Sequence, residues 1–172
     1  LPEYDLITPD APVFTELFQE MLARGTILDA TLAMNARFDR MIEQNPESST
    51  PRRCDTAFAR GLVRHAHALG VPIVAGTDFS TPRDAPFPAL HHELEELVAH
   101  GGLSPMDAIV AATRVAAQAL GIEATHGTLE PGMSVNFVLL DSDPSADIAN
   151  LRTVRAVWKN AARFARSDFR AR

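Results

Sequence analysis

The fold is decided by the stretch Val71-Pro72-Ile73-Val74-Ala75-Gly76-Thr77-Asp78, a short apolar run that ends in a glycine, a hydroxyl residue and a carboxylate. Such a run favours a buried strand, because valine and isoleucine pack well there and proline is tolerated at a strand's start. The preceding residues, 52–69, have apolar side chains at helical spacing: Cys54, Phe58, Leu62 and Leu69. Gly70 ends this helix. A helix that leads directly into a buried strand predicts a parallel α/β fold.

The segment 79–88 leaves the carboxyl end of this strand and carries three prolines, which predicts an irregular loop. In parallel α/β folds, ligands bind at the carboxyl ends of the strands. Upstream, the apolar and β-branched segment 26–34 is interpreted as another buried strand. An amphipathic helix that ends at Gly25 precedes it, with the apolar residues Phe14, Leu17, Phe18, Met21 and Leu22.

Further helices follow on both sides of the deciding stretch. A short polar helix is predicted over 36–44 and a loop over 45–51. After the proline-rich loop, one helical stripe is formed by Leu90, Leu94, Leu97 and Val98. Ser104, with proline next and Asp107 three residues later, then predicts a capped helix that ends at Gly121. Its expected buried face is Met106, Ile109, Val110, Thr113, Ala117 and Leu120.

The sequence changes character from Gly127 onward, where turn residues separate short apolar runs. Strands are predicted at 128–129, 135–140 and 154–158. The polar end, 163–172, is expected to fray. A small β element therefore closes the chain.

Composition limits the functional classes. The 172 residues are 46% hydrophobic and 22% charged, which is typical of a globular protein. The net charge of −6 argues against nucleic acid or an anionic membrane as partner, and no apolar stretch reaches the length of a membrane span. Cys54 is the only cysteine, which excludes an intrachain disulfide and slightly favours the cytoplasm. Because the first residue is Leu1, we expect a piece of a longer protein.

Asp78 is the leading candidate for chemistry, since it ends an apolar strand and precedes a long loop. A carboxylate in this position can bind a metal or transfer a proton. Stabilisation of the loop or a helix cap is the alternative, and position alone leaves both open.

The histidines are weaker candidates. His65 and His67 resemble a metal pair, but residues two apart on a helix lie about 200° apart, so we expect His65 at the core edge and His67 in solvent. His91 shares the stripe with Leu94 and is expected to pack. His92 and Glu93 are expected to be exposed, where they could contact substrate or favour the helix N-terminus. The run Glu93, Glu95 and Glu96 predicts a solvated helix face.

Four motifs follow one another along the chain: 71–78; His92-Glu93-Leu94 with Leu97-Val98; Gly102-Leu103-Ser104-Pro105 with Ala111-Ala112-Thr113; and Gly127-Thr128-Leu129-Glu130-Pro131-Gly132 with Asp141 and Asp143-Pro144. This ordered set resembles the C-terminal part of the metal-dependent amidohydrolase superfamily. The resemblance is greatest to the branch of imidazolonepropionases and Xaa-Pro or Xaa-Arg dipeptidases. The earlier segment that carries Thr31 resembles the seventh barrel strand and its helix.

The resemblance implies a TIM-type (β/α)₈ barrel, here represented by its last two strands and the helices that follow. Residues 1–125 would belong to the barrel, 126–165 to part of a small β-sandwich, and 166–172 to a polar tail. In such enzymes the aspartate that ends strand eight ligates a divalent metal, usually zinc, and moves the proton of the attacking water to the leaving nitrogen. These metal and catalytic roles would fall to Asp78, and substrate contacts to Thr77 and His92.

The implied function of the parent protein is hydrolysis of C–N bonds other than ordinary peptide bonds, in a small amide or a dipeptide. The family's other metal ligands have no counterpart here, and a catalytic zinc takes about three protein ligands. We therefore expect this chain alone to be an inactive fragment. Two alternatives stay open, namely a non-catalytic α/β module derived from the barrel and a deaminase of the same superfamily. A homo-oligomer also stays open.

Overall fold

The computed structural model describes residues 7–48, 55–81 and 85–168. Within these ranges the α-helices are α1 Pro12–Ala23, α2 Leu32–Gln44, α3 Thr56–Ala68, α4 Leu90–Ala99, α5 Pro105–Ala112 and α6 Arg114–Ala119. The strands are β1 Leu28–Asp29, β2 Ile73–Val74, β3 Phe137–Leu140, β4 Val154–Lys159 and β5 Ala162–Ala165. Short 3₁₀ helices lie at Pro46–Ser48, Ile148–Arg152 and Arg166–Asp168. The predicted mixed α/β class is confirmed.

Strands β1 and β2 pair in parallel, with Leu28 opposite Ile73 and Asp29 opposite Val74. Both are shorter than predicted. The predicted strand 26–34 is wrong beyond Asp29, because Thr31 adopts the left-handed conformation (φ 45°) and α2 begins at the next residue. Within the described residues these two strands form an open sheet and not a closed barrel.

The core lies between this sheet and the helices packed on it. Its buried apolar residues include Phe18, Leu32, Val63, Val71, Ile73, Leu94, Leu97, Leu103 and Ala111. Helix α1 reaches this core through Phe18, whereas Leu17 and Leu22 are exposed, so its predicted apolar face was too broad. Helix α3 starts after Asp55, whose carboxylate accepts a hydrogen bond from the Phe58 amide at 2.7 Å. The predicted helical residues 52–54, with Cys54, lie outside the described residues.

The helix predicted from Ser104 to Leu120 is divided at Thr113, where φ is −125° and ψ is −84°. Its start is confirmed, because Ser104 and Asp107 form a reciprocal capping box. Its predicted buried face is partly wrong, since Met106 and Leu120 are exposed. Small residues make the contact instead, with Ala108 and Ala111 among the buried ones.

Strands β3, β4 and β5 form an antiparallel sheet in that order. Phe137 stacks on Trp158 across the first pair, with ring centroids 4.6 Å apart. The predicted strand at 128–129 is wrong, and β5 replaces part of the expected frayed end. Asn160 and Ala161 both have positive φ (50° and 64°) and connect β4 to β5 in a tight hairpin. This turn was not predicted, because its second residue is alanine and not the glycine that is usual at such a position.

The predicted division at residues 125 and 165 has no test here and stays a prediction. The sheet is nevertheless joined to the helices, because Ile148 and Leu151 of the 3₁₀ helix Ile148–Arg152 belong to the same core cluster. None of the helices among the described residues is both long and apolar enough to cross a bilayer.

Candidate functional site

The carboxyl ends of β1 and β2 lie at the same edge of the parallel sheet, because the two strands pair in register. Asp29 ends β1, and Asp78 lies four residues beyond the end of β2. The predicted location of Asp78 at a strand's carboxyl end is therefore close to what the structure has, with a short extension, 75–78, between them.

Asp78 adopts the left-handed conformation, with φ 52°, and its side chain is exposed. Aspartate tolerates this backbone better than most residues, although a non-glycine residue there is still uncommon. Next to it, the Thr77 hydroxyl donates a hydrogen bond to the Phe79 carbonyl at 3.1 Å, which stabilises the turn. The Asp78 carboxylate makes no hydrogen bond or ion pair with the part of the chain described here. No described side chain therefore competes with a ligand for this carboxylate.

Asp29 lies against the backbone on which Asp78 is carried. A β-carbon placed on Gly76 would lie 2.7 Å from Cγ of Asp29, so the carboxylate occupies the space that a side chain at residue 76 would need. Glycine at this position is favoured by the closeness of the Asp29 side chain and not by backbone strain, since its φ is not in the left-handed region. The last residue of β1 and the segment after β2 are therefore in direct contact.

Glu93, on α4, is fully buried with 0% exposure, so its predicted exposure is wrong. Its carboxylate accepts hydrogen bonds from the backbone amides of Leu32 at 3.0 Å and Ala33 at 2.6 Å. These amides open α2 and have no partner within the helix. Glu93 therefore caps the helix that follows β1, from a position 61 residues away from Leu32.

Burial raises the pKa of Glu93 from 4.5 to about 7, because the charged form loses its hydration. The two amides oppose this rise by stabilising the carboxylate. The nearby carboxylates of Asp29 and Glu96 add to it by repulsion. Glu93 therefore changes charge near neutral pH.

A cleft of about 350 Å³ lies between α2, α4 and the loop after Asp78. Its walls combine small and aromatic apolar side chains with charged ones: Ala33, Ala36, Arg37, Arg40, Phe79, Thr81, Phe87, Ala89, His92, Glu95 and Glu96. The Arg37 guanidinium lies 5.2 Å from the ring centre of Phe79. His92 lines this cleft and is exposed, but Asp78 does not line it. The structure therefore places these two predicted residues on neighbouring surfaces, with Phe79 next to Asp78 in the chain.

The predicted solvated face of α4 is wrong at all of its glutamates. Glu95 pairs with Arg152 through two hydrogen bonds of 2.8 and 2.9 Å, and Glu96 pairs with Arg60 at 2.7 Å. Both pairs are partly buried and link α4 to other elements. The cleft's acidic groups are therefore already neutralised by arginines.

The remaining histidines largely follow expectation. His65 lies at the core edge, where Nε2 is 2.9 Å from the Thr15 hydroxyl and the ring packs against Phe18. His91 packs against Phe87, with ring centroids 5.2 Å apart. His67 is half-buried, although it was expected in solvent. Both His65 and His67 lie on α3, so the helix on which that expectation was based is confirmed.

Across the described ranges, no group of three or more histidine, cysteine, aspartate or glutamate side chains is close enough to hold a metal ion. A catalytic zinc takes about three protein ligands, and the free carboxylate of Asp78 could supply one. These residues therefore do not form a metal site by themselves.

Glu93 is the residue of this region that the sequence interpretation misplaced. A signal was present, since Glu93 falls within the helical stripe of Leu90, Leu94 and Leu97. A carboxylate at a core position predicts a buried partner, because an isolated buried charge is too costly.

Comparison with known proteins agrees with this architecture. The Amidohydrolase family profile matches residues 14–162. Imidazolonepropionase from Klebsiella pneumoniae subsp. pneumoniae is 41% identical over 73 residues, which are 42% of this chain and 18% of that protein. Ochratoxinase from A. niger superposes with a TM-score of 0.70 at 28% identity, over 87% of this chain and 34% of its own.

A Xaa-Pro dipeptidase crystallised with bound methionine in the active site has the same fold over 87% of this chain and 37% of its own, with a TM-score of 0.73 and 23% identity. The chain thus spans well under half the length of the relatives that it matches. Since the profile match covers most of the 172 residues, the chain belongs to the amidohydrolase family.

Proposed function

We propose that this chain is the C-terminal part of a metal-dependent enzyme that hydrolyses C–N bonds other than ordinary peptide bonds. A cyclic amide or a dipeptide is the substrate class, which is the chemistry that the names of imidazolonepropionase and Xaa-Pro dipeptidase relatives indicate. The observation that carries the proposal is Asp78, a carboxylate in a left-handed turn beyond the carboxyl end of a parallel strand, with no partner among the described residues.

The proposed architecture is a TIM-type barrel with a small β-sandwich. The sheet of β1 and β2 supports it, because two parallel strands leave open edges that further strands must cover. The sheet of β3, β4 and β5 is the proposed contribution to the sandwich. It exposes apolar side chains such as Val138 and Phe164, as expected of one layer of two.

The proposed catalytic role of Asp78 is proton transfer. A C–O bond forms when water attacks the amide carbon, and the C–N bond then breaks. Asp78 accepts the proton of the attacking water and delivers it to the leaving nitrogen, so the carboxylate is regenerated. An exposed carboxylate that pairs with no cation among the described residues is suited to carry this proton in both directions.

Asp78 would also be one ligand of a divalent metal, with zinc as the proposed ion and the other ligands from residues outside this chain. Such an ion lowers the pKa of a bound water towards about 7. We further propose substrate contacts for Thr77 and His92. Their proximity to the loop after β2 supports this role, and the cleft beside His92 gives room for a small side group.

The test is Asp78→Asn in the full-length protein. Asparagine keeps the shape and the left-handed backbone, so the fold is retained while proton transfer is lost. We expect turnover to fall by about 10²–10⁴-fold. Asp141→Asn is the matched control, because Asp141 also follows a strand end and is exposed, but pairs with Arg155 at 2.7 Å.

An active Asp78→Asn enzyme would remove Asp78 from the mechanism. Full activity after exhaustive chelation would refute the metal role. If the wild-type protein hydrolyses no C–N substrate and binds no metal, the non-catalytic module is correct. Release of ammonia from an amino-substituted ring would favour the deaminase.

A further inference from the structure

The connection from β1 to α2 is unusually sharp. Thr31 occupies the N-cap position of α2 in the left-handed conformation, and its side chain caps no amide. Residues that cap a helix locally have extended backbones at this position, so Thr31 cannot serve in that way. The helix start depends on Glu93 instead, whose carboxylate accepts from both Leu32 and Ala33.

The hydrogen bonds of Glu93 connect α4 back to α2, so that β1, α2, α4 and β2 are each held to the next. Strand β1 leads into α2, and β2 leads through the loop after Asp78 into α4. The strands are hydrogen-bonded to each other, and Glu93 joins α4 back to α2. These connections therefore hold the end of β1 against the segment after β2, where Asp29 contacts Gly76.

Stability alone does not account for this arrangement. A local serine or asparagine cap contributes about 1 kcal/mol to a helix without any buried charge. Here a left-handed threonine and a fully buried carboxylate are both retained, and each of them costs free energy. Backbone outliers and buried charges that persist at such a cost point to a role in the site.

We propose that Glu93 is a positioning residue for Asp78. By holding the N-terminus of α2 it keeps Asp29 against Gly76, and this contact keeps the turn that carries Asp78 in place. Glu93 touches neither substrate nor the reacting atoms. The inference rests on the proposed function of Asp78, but its structural half can be measured without any substrate.

The structural test is amide hydrogen exchange of the full-length protein with Glu93→Gln. Glutamine has the same shape, but its NH₂ group faces an amide donor and cannot accept from it. Exchange should accelerate in 28–36 and also in 75–81, which carries Asp78. The control is Asp107→Asn, because Asp107 caps the start of α5 from an exposed position. It should alter only the residues around that helix start.

The functional test is the kinetics of the same variants at a temperature where both are folded. Misplacement of a reacting group affects turnover more than binding, so Glu93→Gln should lower kcat by about 10- to 100-fold with little change in KM. If Glu93→Gln does not fold, Glu93→Asp replaces it, since aspartate keeps the charge but is too short to reach both amides.

The proposal is overturned if exchange accelerates only in 28–36 while 75–81 and kcat are unchanged, because Glu93 would then be a helix cap and nothing more. It is also overturned if Asp107→Asn lowers kcat equally, since general loosening would explain the effect. If the wild-type protein shows no hydrolysis, the proposed function fails and the exchange of 75–81 decides the positioning role alone.

Discussion

Glu93→Gln should change how the stability of the protein depends on pH. Because burial raises the pKa of Glu93 in the folded state from 4.5 to about 7, the folded protein binds the proton more tightly than the unfolded chain. The stability that comes from this group is fully present below pH 4.5 and is lost as the pH rises through about 7. Glutamine does not titrate, so the variant lacks this loss.

The size of this pH-dependent loss of stability follows from the pKa shift of Glu93. Each pKa unit corresponds to about 1.36 kcal/mol, so the rise from 4.5 to about 7 amounts to about 3 kcal/mol, most of it between pH 5 and pH 8. Glutamine leaves one amide of Leu32 or Ala33 without its acceptor, which costs about 1–3 kcal/mol at every pH. The wild type should therefore be the more stable protein at pH 5, and the difference should vanish or reverse at pH 8.

The assay is thermal unfolding of both full-length proteins from pH 5 to pH 8, with the difference between their midpoints as the readout. Groups that titrate in the same way in both proteins contribute nothing to this difference in midpoint, provided that they do not interact with Glu93. The two charged groups that act on it are Asp29 and Glu96, and Glu96 is itself paired with Arg60. A difference that stays constant over the whole pH range would refute the buried, titrating carboxylate.

Two further changes test the packing around the site. Gly76→Ala places a methyl group 2.7 Å from Cγ of Asp29, so the exposed Asp29 side chain must turn away from the segment that carries Asp78. We expect a loss of about 1 kcal/mol by thermal unfolding and a fall in kcat, and an unchanged kcat would show that this contact does not position Asp78. Ser104→Ala removes the reciprocal cap of α5 and should lower the free energy of unfolding by about 0.5–2 kcal/mol. We expect kcat to stay unchanged, and a fall in kcat would show that stability alone limits turnover.

The α/β class and several helices could be predicted because their signals are local. The stripe of α4 and the capping box of Ser104 lie within a few residues of each other, and both are confirmed. The location of Asp78 near a strand end followed from the same kind of signal, since an apolar run stops at Gly76. Its role could not be tested in this way and stays a proposal.

The wrong predictions concern features that depend on distant residues or on an unusual turn. The extent of the first strand could not be predicted, because nothing near Thr31 indicates that the chain turns there. Strand β5 was missed since the hairpin has alanine where glycine is usual. On α5, alanines and not the larger Met106 face the core, as close packing against β2 leaves little space.

Glu93 and Asp78 carry the same functional group, a carboxylate, but their surroundings are opposite. Both are carboxylates beside the same strand ends, but Asp78 is exposed and has no partner in the described part of the chain, while Glu93 is buried and accepts two hydrogen bonds. Their environments differ because Thr31 does not cap α2, and Glu93 of α4 supplies the acceptor instead. The left-handed turn and the buried glutamate therefore depend on each other. A chain with an apolar residue in place of Glu93 would leave the amides of Leu32 and Ala33 without this acceptor, unless residue 31 adopted an extended backbone and supplied a local cap.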